Sequence, residues 1–136
     1  MDIVSGSCSL IIRGRETLNI DEINTRLNIK PTEVYIKGNK FSKSSGDITK
    51  DVWIYKHTIK KEEDLNTPVI SIINDLRPHK QYLNELTNSV DIYVKLYIQS
   101  DLAQIGFELL PEVIVGLAEL NLKVEFSILS WGGVDN

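Results

Sequence analysis

The stretch from Val90 to Gln99 constrains the fold more than any other part of the chain. Val90, Ile92, Val94, Leu96 and Ile98 alternate without a fault against Asp91, Tyr93, Lys95, Tyr97 and Gln99. Successive side chains of a strand point to opposite faces, so this segment has one apolar and one polar face. Strands of a buried parallel sheet are apolar on both faces, so this pattern points to a mostly antiparallel sheet covered on one side only. The covering layer must come from helices elsewhere in the chain.

Those helices are legible. Asn19 is placed to cap a helix carrying Ile20, Ile23 and Leu27, with Glu22 three residues on as in a capping box, and Lys30-Pro31 is expected to end it. Pro68 suits the first turn of a second helix, whose Val69, Ile72, Ile73 and Leu76 keep the spacing of a core-facing stripe. Pro78 breaks or kinks that helix, and Tyr82, Leu83 and Leu86 continue a helical face beyond it. Pro111 opens a third helix with Val113, Ile114, Leu117 and Leu120.

Three further strands are expected by alternation: Ser7–Arg13, Asp51–Ile59 and Leu122–Ile128. Ala103, Ile105, Phe107 and Leu109 also alternate, which predicts a strand forming an antiparallel hairpin with Val90–Gln99. The segment 36–50 is rich in Gly, Ser and Lys without periodicity and reads as a long loop. The expected architecture is α+β in the order β-α-β-α-β-β-α-β, a mostly antiparallel sheet with about three helices on one face, ferredoxin-like or related. At 136 residues the chain is expected to form a single domain over 1–136. A faint internal echo, Leu27-Asn28-Ile29-Lys30 against Leu120-Asn121-Leu122-Lys123, reads either as a repeated unit or as chance.

Several chemistries are disfavoured. Cys8 is the only cysteine, so neither an intramolecular disulfide nor a cysteine-based zinc site can be assembled in one chain. It falls mid-strand on the apolar face, away from His57 and His79, which argues against a Cys/His nucleophile. The two histidines lack ligand spacing, so neither a metal nor a cofactor is expected. No pair of titratable groups reads as acid and base, and the expectation is a protein that is not an enzyme. Met1 to Gly6 lacks a basic segment and a long apolar core, and no apolar run approaches membrane-spanning length; a cytoplasmic location without membrane contact is expected.

Charge is uneven. Residues 1–60 hold ten Lys/Arg and seven Asp/Glu, and residues 61–136 hold five and twelve. Lys37, Lys40 and Lys43 around Phe41 could stack and grip a nucleic acid, but the net charge of −4 argues against a large phosphate footprint. Arg13-Gly14-Arg15, with Lys37 and Lys40 of the loop, could instead hold a small anion or ligand.

The stretch Leu27-Asn28-Ile29-Lys30-Pro31-Thr32-Glu33, then Lys37-Gly38 and Trp53, resembles the N-terminal signature of bacterial proteins grouped as domain of unknown function 4279. Gln99-Ser100-Asp101, Gly106-Phe107-Glu108-Leu109 and Pro111-Glu112 resemble its C-terminal half. The resemblance covers nearly the whole chain. It implies a bacterial origin and carries no activity to transfer.

The polar sheet face is the most suggestive surface. Tyr93, Lys95, Tyr97, Glu108 and Glu125 are expected on it, joined by Trp53, Tyr55 and His57. Aromatic side chains on such a face suggest a protein interface, whereas β propensity alone, or a loop folded over them, accounts for them equally. The expected function is a non-catalytic interaction module, immunity-type or self-associating as a homodimer. The alternative is a small-ligand or anion-binding domain built on Arg13, Arg15 and the 36–50 loop.

Overall fold

The computed structural model describes residues 5–15, 17–39 and 47–131. The strand elements are β1 (Ser5–Gly14), β2 (Glu33–Tyr35), β3 (Val52–Ile59), β4 (Val90–Ser100) and β5 (Lys123–Ser130). The helices are α1 (Ile20–Leu27), α2 (Asn66–Leu76), α3 (Lys80–Leu86) and α4 (Pro111–Glu119). A 3-10 turn at Arg77–His79 joins α2 to α3, because Pro78 cannot supply the amide hydrogen that a continuous helix needs there.

The five strands form one sheet in the order β2-β3-β1-β4-β5. β1 pairs antiparallel with both β3 and β4, and β2 pairs antiparallel with β3. Among the described strand pairs only β4 and β5 are parallel, with α4 as their crossover. β3 and β4 therefore run the same way with β1 between them, a split β-α-β arrangement bridged by α2 and α3.

The register shows which face the helices cover. Cys8, Leu10 and Ile12 stand opposite His57, Tyr55 and Trp53 on one side and Leu96, Val94 and Ile92 on the other. All of these except Tyr55 and His57 are buried in a single core, where they meet Ile23 and Leu27 of α1, Val69, Ile72, Ile73 and Leu76 of α2, Tyr82 and Leu83 of α3, and Val113 and Leu117 of α4. Every helix thus packs on the same side. α4 approaches α2 closely at Gly116, where a Cβ would lie 2.8 Å from Ile73 Cγ2.

Helix starts follow local chemistry. The Asn19 side chain accepts from the Glu22 amide at 3.2 Å and starts α1. The end of α1 comes earlier than the Lys30-Pro31 signal predicts, because Asn28 takes the left-handed conformation at φ 53°. Asn121 does the same at φ 56° after α4. The Ile29 amide then donates to the Asn24 carbonyl, and the Leu122 amide to the Leu117 carbonyl, each spanning five residues. The echo between the two Leu-Asn-apolar-Lys stretches is therefore one helix-ending device used twice.

One expected strand is absent, and one strand is additional. The segment Ala103–Leu109 is not a strand and makes no hairpin. Both edges of β4 are already taken, by β1 and β5, so this segment has no strand to pair with. It runs as a loop pinned by Asn66, whose side chain donates to the Glu108 carbonyl at 2.8 Å and accepts from the Leu110 amide at 3.0 Å. Its alternation survives because Ile105, Phe107 and Leu109 pack against the core while Gln104, Gly106 and Glu108 stay exposed. The short β2 was not anticipated: three residues beside Pro31 carry no usable periodicity. The loop 36–50 is closed at its base, where the Gly38 amide donates to Ile48 and the Ile48 amide to Asn39. Lys40, Phe41 and Lys43 lie outside the described residues.

Candidate functional site

No helix covers the other side of the sheet among the described residues, and its composition follows from the register. One row across it runs Glu33, Ile54, Ile11, Tyr93, Lys123. A second runs Lys56, Ser9, Lys95, Glu125, and a third Thr58, Ser7, Tyr97, Ser127. Tyr93, Lys95, Tyr97 and Glu125 thus share this open face. Trp53, Tyr55 and His57 do not: they alternate onto the helix side, where Trp53 is fully buried. Alternation separates the two faces of a strand but cannot say which face is covered, and here the aromatic one is. Glu108 also lies elsewhere, beside Glu62, Glu63, Asp64 and Asn66 in a cleft of about 610 Å³.

The open face is more closed electrostatically than its sequence suggests. Asp91 pairs with Lys123 at 2.7 Å and with Arg13 at 3.0 Å. The same two cations flank the Tyr93 ring, Lys123 Nζ at 5.6 Å and Arg13 Cζ at 5.7 Å from its centroid. Lys95 meets Glu125 at 3.7 Å, and Lys56 meets Glu33 at 3.7 Å. Tyr93 is consequently only 7% exposed. The Lys123 ammonium, and after it the Arg13 guanidinium, hold the Asp91 carboxyl below its usual range.

A depressed pKa stabilises the fold above the unfolded value of about 3.9, and that contribution fades as the pH falls through the folded value. With Asp91 about a third exposed, screening limits the effect. Asp91→Asn is expected to lose up to about 1 kcal/mol of stability at pH 7 and nothing measurable at pH 2, read by urea denaturation. Equal losses at both pH values would show that its ion pairs contribute nothing.

Arg13, Gly14, Arg15 and Lys50 line a small cleft of about 200 Å³ with Val90 and Asp91. The structure therefore brings Arg13 and Arg15 together with a lysine that the sequence did not single out. Lys37 is not among the lining residues; its amide donates to Asp51 Oδ1 at 2.7 Å. Asp51 also accepts from the Leu18 amide at 2.8 Å, which ties the chain entering α1 and the base of the 36–50 loop to the start of β3.

Two other groupings were not foreseen. Tyr55, Asp75, His79 and Lys30 line a cleft of about 450 Å³, where burial and then the nearby Asp75 carboxylate raise the Tyr55 hydroxyl above its usual range. More prominent is the rim at β5. Phe126, Ile128 and Leu129 on β5, Trp131 just beyond it, and Ile114 and Val115 on α4 are all exposed large apolar residues. The alternation of β5 was legible, but its place at the sheet edge was not. Burial raises the Cys8 thiol to about 12, which keeps it protonated and unreactive. Among the described residues no group of three or more His, Cys, Asp or Glu could hold a metal ion, and no helix is long and apolar enough to cross a membrane.

A helix layer on one side of a split β-α-β sheet, with no helix on the other side among the described residues, defines an α+β protein of two layers. The family model for a domain of unknown function, DUF4279, matches residues 4–131, and the chain belongs to that family. No match was found among curated proteins or among solved structures.

Proposed function

We propose that this chain is a non-catalytic protein-interaction module whose contact surface is the β5 rim and the open sheet face it borders. One observation carries the reading. Six of the nine exposed large apolar residues among those described, Ile114, Val115, Phe126, Ile128, Leu129 and Trp131, belong to α4, β5 and the residue after it, with Val34, Ile36 and Leu102 elsewhere, while charges on the neighbouring face are already paired. An apolar core with a rim of satisfied polar groups is the anatomy of a protein-binding patch. The non-catalytic part rests on the chemistry: the one thiol is buried and protonated, and the open-face carboxylates are neutralised by cations.

The test is to capture a partner from an extract of the native host, purify it, and titrate it against wild type and against a Phe126→Lys, Tyr97→Glu double variant. Wild-type binding weakened at least tenfold in the variant supports the module. Equal affinity for both proteins counts against this surface.

A second reading, a small-anion site, is favoured by the cleft lined by Arg13, Arg15 and Lys50. An anion bound only by the folded state should raise the melting temperature of wild type and not of Arg15→Ala. No shift with inorganic phosphate or nucleotides would remove it.

A further inference from the structure

The two edges of the sheet are unequal. β2 forms one edge with only three residues, next to Pro31, and is blunted in the way exposed edges usually are. β5 forms the other with eight residues, Lys-Val-Glu-Phe-Ser-Ile-Leu-Ser, and contains neither proline nor glycine. Lys and Glu on an edge ordinarily discourage pairing, but here both are drawn inward: Lys123 to Asp91 at 2.7 Å and Glu125 to Lys95 at 3.7 Å. Phe126 and Ile128 remain 44% and 46% exposed on the helix side of this edge. Among the described residues no strand pairs with its outer side.

We infer that the occupant of this edge is a second copy of the chain, with β5 pairing antiparallel to β5 of its partner about a two-fold axis through Phe126. This deepens the module reading and rests on it. The register is self-complementary. Phe126 stands opposite its own copy, Val124 opposite Ile128 on both sides of the axis, Glu125 opposite Ser127, and Lys123 opposite Leu129. The helix-side row across the seam is then wholly apolar, and no like charges stand directly opposite. A two-fold centred on Glu125 would set two carboxylates face to face. One centred on Ser127 would leave Val124 against Ser130.

The helix layer fits the same axis. A two-fold normal to the sheet keeps all helices on one side. As the crossover between β4 and β5, α4 lies above that pair. With strands about 4.8 Å apart, α4 and its symmetry mate come to roughly 10 Å, at the upper end of helix packing distances. Ile114 lies roughly 160° around α4 from Gly116, by the helical turn. Gly116 faces α2, so Ile114 points away from α2 and toward the seam. It would close over the Phe126 pair, beside the Phe107 ring that stacks on Phe126 at 5.8 Å, which accounts for the exposure of Ile114 and Phe126 with one contact.

The experiment is solution mass by light scattering across a concentration series, on wild type, Phe126→Lys, Ile128→Lys and Tyr97→Glu. Wild type and Tyr97→Glu are expected at twice the 15.4 kDa chain mass, and the two lysine variants at the single mass with near wild-type melting curves. Hydrogen exchange of wild type at high and low concentration supplies a readout that needs no variant. Protection that rises with concentration at β5 and not at β2 supports the seam. A monomeric wild type overturns the second-copy assignment and leaves the module reading to the partner titration. A dimer split by Tyr97→Glu but not by the lysine variants also overturns it, placing self-association on the open face.

Discussion

Trp53→Ala is expected to remove about 3–5 kcal/mol of folding free energy, the usual cost of truncating a buried tryptophan. Trp53 has no exposed surface and sits in β3 opposite Ile12, inside the core shared by α1 to α4. Its indole nitrogen donates to Asn24 Oδ1 at 2.7 Å, so the side chain also joins β3 to α1. Alanine would leave a cavity and remove the donor to Asn24 Oδ1 together. For a chain of this length the melting temperature should fall by roughly 10 °C or more. Trp53→Phe separates the two parts. It keeps most of the volume and removes the donor, with an expected loss of about 1–3 kcal/mol. Denaturant unfolding of both variants checks this. A Trp53→Ala loss below about 1 kcal/mol would mean that the core around β3 is not packed as described.

Asp51→Ala is expected to cost about 2–4 kcal/mol, because it removes two hydrogen bonds to a charged acceptor. Asp51 is 4% exposed, and its two oxygens accept from the Leu18 and Lys37 amides while its carbonyl accepts from Gly14. These bonds join the turn after β1 to the base of the 36–50 loop. Hydrogen exchange should therefore rise at Leu18 and Lys37 ahead of the rest of the protein. Asp51→Asn retains one acceptor oxygen and should recover part of the loss. If alanine and asparagine behave alike, the carboxylate is not what holds the two segments.

The helix stripes and most strands were legible because they depend on local periodicity. Val69, Ile72, Ile73 and Leu76 lie in the core as their spacing requires, and so do Ile92, Val94, Leu96 and Ile98. The candidate site was legible only in part. Tyr93, Lys95, Tyr97 and Glu125 share a face because strand alternation and the β4–β5 register place them there. Trp53, Tyr55 and His57 were expected beside them and lie opposite, because register across β1 decides which parity meets the helices. Ala103 to Leu109 shows the limit of periodicity most clearly. A loop that drops every second side chain onto a core has the same pattern as a strand, and only the occupied edges of β4 exclude pairing.

The core-facing stripes of the helices, the alternation along β4 and β5 and the Asn19 cap of α1 are encoded over a few neighbours, where backbone geometry and local hydrogen bonds dominate. Strand order, the parallel β4–β5 pairing and the pairing of Asp91 with Arg13 and Lys123 arise between residues far apart in the chain. So does the exposure of Phe126 and Ile128. The same apolar alternation would be buried in a central strand and is uncovered in β5, because a side chain's burial depends on what packs beyond it, and an edge strand has a neighbour on one side only.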